Sequence, residues 1–356
     1  MLDLIEPARA AEHAALSYVS DTDPGYRRRR AGNGFYYLDS RGARLDDQAI
    51  VARIKALAIP PAWTDVWICS DPEGHVQATG RDERGRKQYR YHAAWTICRD
   101  EAKFSSLTSF ARSLPKLRAR VDRDLRRHGL PRERVVASVV RLLDATLIRV
   151  GNDSYAQENK SFGLTTLRSR HLKVAGSSLR FSFMGKSGQE WRLTLNDRRI
   201  TNVVRSIAEL PGQRLFQYLD EDGGRHHIRS QDVNEYIRET SGADFTSKHF
   251  RTWGATAAAA LALADEELPA TKRATAITLN GVIDGVAGKL RNTRAVCRSC
   301  YIHPAVVEAW QDGRLGDEIG ALRRRLPRPL NGLDASESTV LRWLSSLEDA
   351  AQPSPG

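Results

Sequence analysis

The period of the hydrophobic pattern changes near His92, and this limits the chain to folds with two differently built regions. From Phe35 to Tyr91 the apolar runs are short and aromatic or β-branched: Phe35–Leu38, Val66–Cys69, Val76–Thr79 and Gln88–Tyr91. Turn clusters divide them, among them Asp39-Ser40-Arg41-Gly42, Asp71-Pro72-Glu73-Gly74 and Asp82-Glu83-Arg84-Gly85, the punctuation expected between strands. One helical pattern, Asp47–Ala58, interrupts them and stops at Pro60-Pro61, and residues 1–25 read as a short helical lead-in. Beyond His92 the period becomes helical. Arg134–Val150 sets Val136, Val139, Val140, Leu143, Leu147 and Val150 on one face, with Arg149 at the helix end. A β interlude follows, in which Leu179, Phe181 and Phe183 alternate into the turn Gly185-Lys186-Ser187-Gly188 and Trp191, Leu193 and Leu195 alternate back. This predicts a hairpin with a lysine at its tip. Helices are predicted again over Ser230–Thr240, Ser247–Leu263, Lys272–Leu290, Thr293–Tyr301 and Ser336–Ala351. The expected class is α+β: a small β-sheet-rich N-terminal domain over 1–92, a larger mainly helical domain over 93–351 with a small hairpin sheet, and a tail over 352–356.

Charge narrows the partner. Lys and Arg number 55 against 43 Asp and Glu, a net charge of +12. The N-terminal segment has neither a basic start nor an apolar core, so no signal peptide is expected. The longest aliphatic stretch, Ala255–Ala264, stops at Asp265, too short for a bilayer. Four cysteines in 356 residues do not make a secreted disulfide framework. A cytoplasmic, nucleoid-associated protein is expected. The cations cluster at Arg27–Arg30, at Arg81 to Arg90, from Lys116 to Arg134, and at Arg323–Arg325 with Arg328. Any one cluster reads most simply as a solvated face. Four along the chain suggest a protein that surrounds a polyanion, with nucleic acid ahead of an acidic membrane face.

Three familiar motifs fail on inspection. Gly185-Lys186-Ser187 resembles the end of a phosphate-binding loop, but Arg180 stands where the required glycine belongs, and a hairpin surrounds it. Asp220-Glu221-Asp222, followed by two glycines, reads as a turn before it reads as a metal site. Cys297 and Cys300 are two of the four ligands that structural zinc needs, while Cys69 and Cys98 lie far away in sequence. No metal or nucleotide cofactor is expected.

Chemistry on a phosphodiester would then need a nucleophile, cations for the non-bridging oxygens and an acid for the leaving oxygen. Arg149, Lys186, Arg251, Asn292 and Tyr301 make a suggestive set. Each alone has a plainer reading: a surface cation, a turn lysine, a helix cap for Asn292, a half-buried core tyrosine.

Together these residues carry a family resemblance. Thr79-Gly80-Arg81-Asp82-Glu83-Arg84-Gly85-Arg86-Lys87-Gln88-Tyr89-Arg90-Tyr91 is similar to the T-G-x-D-x-x-G-R-x-Q-Y-x-Y segment of type IB DNA topoisomerases. Ile148-Arg149-Val150-Gly151-Asn152, followed by Asn159 to Leu167, is similar to the family's first catalytic-arginine motif. Met184-Gly185-Lys186 resembles its catalytic-lysine hairpin, and Lys248 to Gly254 its K-x-x-R-T-[YW]-G motif. The chain from about Gly74 to His303 thus resembles the compact poxvirus and bacterial form, with the catalytic fold it shares with tyrosine recombinases. The resemblance implies Tyr301 as nucleophile, Arg149 and Arg251 on the phosphate oxygens, and Lys186 as the acid. It implies a 3′-phosphotyrosyl intermediate and relaxation of supercoils of either sign without ATP or metal. It also implies DNA contacts by Arg86, Lys87, Gln88, Tyr89, Tyr91 and Lys248, and a monomer that encloses duplex DNA as a clamp. One position departs: many members carry histidine where this chain has Asn292, which donates a hydrogen bond but carries no charge. Two other readings remain. A tyrosine recombinase shares the Arg–Lys–Arg–Tyr chemistry but usually begins with a helical domain. An architectural DNA-binding protein explains the charge but not the ordered polar set.

Overall fold

The computed structural model describes residues 11, 15–32, 34–96 and 104–351. The chain forms two compact units, 1–105 and 106–356. The first is built on a five-stranded antiparallel sheet of β1 (Gly25–Ala31), β2 (Gly34–Leu38), β3 (Thr64–Cys69), β4 (Val76–Arg81) and β5 (Lys87–Tyr91), in the order β2-β1-β3-β4-β5. Helix α1 (Gln48–Ala56) starts where Asp47 accepts from the amides of Ala49 and Ile50. Its Ile54 packs with Val66, Ile68, Ala78 and Tyr37. The alternate residues Trp67 and Cys69 pack with Val76 in a separate cluster, so β3 is buried on both faces.

Two expectations for this unit are corrected. The helical lead-in falls mostly on residues 1–10 and 12–14, which lie outside the described residues. Residues 15–24, where described, are turn and bridge: Ser17 pairs with Gly74, and Asp23 accepts from the Ser20 amide at 2.7 Å. An acid spent on its own turn does not extend a helix. The run Arg27–Arg30 makes up most of strand β1, with Arg27, Arg29 and Arg30 exposed as a solvated face and only Arg28 departing from that reading. Arg28 points inward, donates to the carbonyls of Ile59, Pro60 and Trp63, and stacks on Phe35 at 4.2 Å.

In the second unit the helices are α2 (Leu107–Asp124), α3 (Arg132–Thr146), α4 (Asp153–Glu158), α5 (Arg198–Ala208), α6 (Ser230–Ser241), α7 (Ser247–Ala264), α8 (Lys272–Leu290), α9 (Arg294–Tyr301), α10 (Pro304–Gln311), α11 (Leu315–Arg325) and α12 (Ala335–Ala351). A three-stranded sheet, β6 (Leu172–Ala175), β7 (Ser178–Met184) and β8 (Glu190–Asn196), and a small hairpin, β9 (Gln217–Leu219) with β10 (Arg225–His227), complete it. The fold is therefore α+β, a sheet-based N-terminal unit and a larger, mainly helical one. Helix α7 lies at the centre and packs against α2, α3, α6 and α8 to α12. Its buried Ala255, Ala257, Ala259 and Ala260 let those neighbours approach closely. In β7, Leu179, Phe181 and Phe183 point inward as their alternation predicts, and Phe183 stacks on Trp191 across the hairpin at 6.0 Å.

The cations between Lys116 and Arg134 are largely spent inside this unit. Arg118 binds Asp144 and Glu337, Arg120 and Arg127 both bind the buried Asp124, Arg132 binds Asp232 and Glu235, and Arg134 binds backbone carbonyls. Asp220 accepts from the Gly224 amide and pairs with His226, which makes the acidic triplet a hairpin turn. No group of three or more His, Cys, Asp or Glu side chains is placed to hold a metal, and no helix is long and apolar enough to cross a membrane, among the described residues.

Candidate active site

The site forms around the N-terminal half of α7, where several helix ends and loops converge. Helix α3 ends at Thr146, earlier than the expected Val150, because Leu147 turns into the left-handed region (φ 56°, ψ 20°). Arg149 therefore stands in a loop, not at a helix end. The loop is anchored by close backbone approach: Leu164 donates to the Arg149 carbonyl at 2.9 Å, and Thr165 to that of Val150 at 2.7 Å. A side chain on Gly163 would put its Cβ 2.6 Å from that Arg149 oxygen, so only glycine fits there. The Phe162 amide bonds the Met184 carbonyl at 2.8 Å, tying the same loop to the turn end of the β7–β8 hairpin.

Arg251 lies in the second turn of α7, whose start is fixed by His249 reaching back to the Thr246 amide at 3.0 Å. Its guanidinium donates to the Leu147 carbonyl and, at 2.9 Å, to that of Leu290, the last residue of α8. The left-handed Leu147 thus supplies the acceptor that orients Arg251. Its side chain lies over Gly254, where an added Cβ would meet Leu147 at 2.7 Å. Tyr301 is the last residue of α9, and the Arg251 Cζ stands 5.1 Å from its ring centroid. Burial pushes the Tyr301 phenol up, but the charge and hydrogen bond of Arg251, then the charges of Arg149 and Lys248, outweigh it and hold the phenol below its ordinary value. Burial beside Arg149 lowers Arg251 to about 10, which leaves it charged at neutral pH.

Arg149 donates to Oδ1 of Asn292, in the segment between α8 and α9. The helix cap of α9 is Thr293, whose hydroxyl accepts from Val296, so the capping reading of Asn292 is corrected. Two buried N–H groups at the site have no partner, Nδ2 of Asn292 and Nε of Arg251. Unpaired buried donors are costly. Lys186 sits exposed at the hairpin tip, in a tight turn over Lys186–Gly188, and Lys248 is exposed in the first turn of α7.

In the first unit, Lys87, Tyr89 and Tyr91 share one face of β5. The two rings stack at 5.7 Å, are 45% and 46% exposed, and have the Lys87 ammonium 5.5 Å from the Tyr89 centroid. Exposed stacked rings are not a sheet core. Lys87 is also paired with Asp21 at 2.6 Å, while Asp82 holds both Arg86 (2.8 Å) and Gln88 (3.0 Å). The structure thus gathers Arg149, Arg251, Asn292 and Tyr301 at one point. The sequence reading missed Asp21, Asp82 and the Leu147 carbonyl. Only Asp82, inside the quoted motif, carried a signal.

A family model described as the catalytic core of eukaryotic DNA topoisomerase I matches residues 90–323, and one described as the N-terminal domain of bacterial DNA topoisomerase IB matches residues 34–82. The chain belongs to the type IB DNA topoisomerase family. It is therefore an isomerase. Among its relatives, DNA topoisomerase 1B of Acanthamoeba polyphaga mimivirus is 34% identical over 297 residues, 81% of this chain and 88% of that protein. DNA topoisomerase I of Monkeypox virus and DNA topoisomerase 1B of Vaccinia virus (strain Copenhagen) are each 19% identical over 281 residues, 77% of this chain and 86% of each protein. The topoisomerase core model runs from before α2 into the last turn of α11 and so includes all five residues of the candidate site, whereas α12 lies beyond it.

Proposed function

We propose that this enzyme relaxes supercoiled duplex DNA of either sign by transient cleavage of one strand, with Tyr301 as the nucleophile. The observation that carries the reading is the half-buried Tyr301 under Arg251, beside two orphaned N–H donors on Arg251 and Asn292. A tetrahedral phosphate offers the non-bridging oxygens that these donors lack. Tyr301 releases its phenol proton to water, and as the phenolate oxygen bonds to phosphorus, negative charge builds on those oxygens, and Arg149, Arg251 and Asn292 stabilise it. The 5′-oxygen leaves with a proton from Lys186, whose exposed position on the hairpin tip lets it meet DNA directly. The result is a 3′-phosphotyrosyl bond. Attack by the free 5′-hydroxyl on the same phosphorus reverses the step, returning the proton to Lys186, so the diester energy is conserved and resealing requires no ATP. Two guanidiniums and a neutral amide supply the electrostatics, so the step is written without a metal.

Lys87, Tyr89 and Tyr91, with Arg86 and Gln88, serve as a DNA-contacting strand in the first unit, and Lys248 as a phosphate contact beside the site. Cationic side chains in each unit support a monomer that holds the duplex as a clamp. The recombinase alternative is less well supported, because the N-terminal unit is a strand sheet.

The test is relaxation of a supercoiled plasmid in excess chelator without ATP, together with trapping of the adduct. Wild-type protein is expected to relax the plasmid and carry DNA through a 3′-phosphate on Tyr301. Tyr301→Phe is expected to do neither while binding duplex normally. A 5′-linked adduct, or a relaxing Tyr301→Phe enzyme, overturns the proposal.

A further inference from the structure

Tyr301 ends helix α9, and Ile302 leaves the helix at φ −103°, ψ 127°. The last carbonyls of a helix have no intrahelical partner and must find one elsewhere. For Tyr301 that partner is Thr256 of α7: its hydroxyl donates to the Tyr301 carbonyl at 3.1 Å and accepts from the His303 amide at 3.1 Å. Thr256 is fully buried, and its one hydroxyl joins the end of α9 to the start of α10, whose N-cap is His303. Only a group that both donates and accepts can make the two bonds, which a hydroxyl does and a methyl does not.

Arg251 lies on the same helix, five residues earlier, about 7.5 Å along the axis at 1.5 Å per residue. Helix α7 therefore holds Tyr301 twice, at the ring through Arg251 and at the main chain through Thr256. From this geometry we infer that Thr256 is a positioning residue: it fixes where the Tyr301 oxygen stands relative to the phosphate that Arg251 binds. The inference rests on the proposed role of Tyr301 as nucleophile. Attack in line with the leaving oxygen tolerates little error, since a misplacement of about 1 Å costs on the order of 10²-fold in rate. A carbonyl oxygen pinned two bonds away from the Tyr301 Cα limits that error, and the buried Thr256 acts on the main chain of Tyr301, not on its phenol.

Thr256→Val, Thr256→Ala and Thr256→Ser in the full chain decide the matter. Two quantities are measured: the single-turnover rate of covalent adduct formation on duplex DNA, trapped with denaturant, and duplex affinity at the same salt. Thr256→Val is expected to slow adduct formation about 10- to 100-fold with affinity unchanged. Religation is expected to slow by the same factor, because both directions share one transition state. Thr256→Ser, which keeps the hydroxyl, is expected to recover most of the rate. If Thr256→Val does not fold, Thr256→Ala, which fits the same space, carries the same comparison against serine. A wild-type rate in the hydroxyl-free variant overturns the inference, and so does a serine variant as slow as the hydroxyl-free one. A wild-type enzyme that forms no adduct at Tyr301 overturns the nucleophile assignment instead.

Discussion

Arg149 and Asn292 stand 143 residues apart in the chain and meet side chain to side chain, the guanidinium donating to the amide oxygen. That bond sets the orientation of the amide. With Oδ1 committed to Arg149, Nδ2 faces away from it, buried and without an acceptor. Asparagine thus does two things at once, holding a cation with one atom and offering a donor with the other. A protonated imidazole has donors only and cannot accept from Arg149.

Substitutions at Asn292 separate those two tasks. Asn292→Ala loses both and is expected to lower the single-turnover cleavage rate on the order of 10²-fold, the usual loss for one oxyanion donor. Asn292→Asp keeps an acceptor for Arg149 but places a carboxylate where the phosphate binds, and is expected to be slower than the alanine variant. Cleavage by Asn292→Asp near the wild-type rate would remove Asn292 from the proposed mechanism.

Lys186 is tested through its leaving group. Lys186→Ala is expected to cleave an ordinary duplex very slowly while binding it normally. Replacing the bridging 5′-oxygen by sulfur, which departs without a proton, is expected to restore most of the rate. Equal rates on the oxygen and sulfur substrates in the alanine variant would mean that another group is the acid.

The Lys87–Asp21 pair gives a prediction about binding. A DNA phosphate must compete with Asp21 for the Lys87 ammonium, so Asp21→Asn is expected to tighten duplex binding at low salt. Lys87→Ala is expected to weaken it and to reduce the log–log salt slope by about 0.9, the value for one neutralised phosphate. Fluorescence anisotropy from 50 to 200 mM salt, a range of about fourfold, reads both. An unchanged slope would place β5 away from the DNA backbone.

Stability depends on Glu337 of α12. It binds Arg118 through both oxygens at 2.7 Å and accepts from Trp253, two residues after Arg251, at 3.2 Å. Burial pushes the Glu337 carboxyl up, but the Arg118 hydrogen bond and charge hold it below its ordinary 4.5. The folded form thus binds a proton less readily than the unfolded one. The resulting stabilisation is full above pH 4.5 and is lost as pH falls below that value. Glu337→Ala is expected to cost about 3 kcal/mol at neutral pH, the low end for breaking a buried pair, since Arg118 keeps Asp144. Glu337→Gln is expected to flatten the acid side of the stability curve, read from urea midpoints. Parallel curves for the glutamine variant and wild type would contradict this.

Periodicity determined the elements by itself. The helix over Lys272–Leu290, the β7–β8 hairpin with Lys186 at its tip, and the α+β division are local consequences of 3.6- and 2-residue repeats, and the structure bears them out. The boundaries it missed lie where backbone conformation overrides pattern. Leu147 continues the apolar stripe but adopts a left-handed conformation, which ends α3 and frees Arg149. The run Arg27–Arg30 has the composition of a solvated face, yet as a strand it turns Arg28 inward onto three carbonyls. Charge could be counted from the sequence but not assigned: Arg118, Arg120, Arg127 and Arg132 are spent on acids of their own unit, and Lys87, though on an exposed strand face, is paired with Asp21. Partners were illegible because they are far apart in the chain, 45 residues for Thr256 and Tyr301, 104 for Arg251 and Leu147, 219 for Arg118 and Glu337. A repeat reports only which face a residue occupies. Which donor meets which acceptor is decided when separate helices pack, because each buried polar group must then find a partner within about 3 Å.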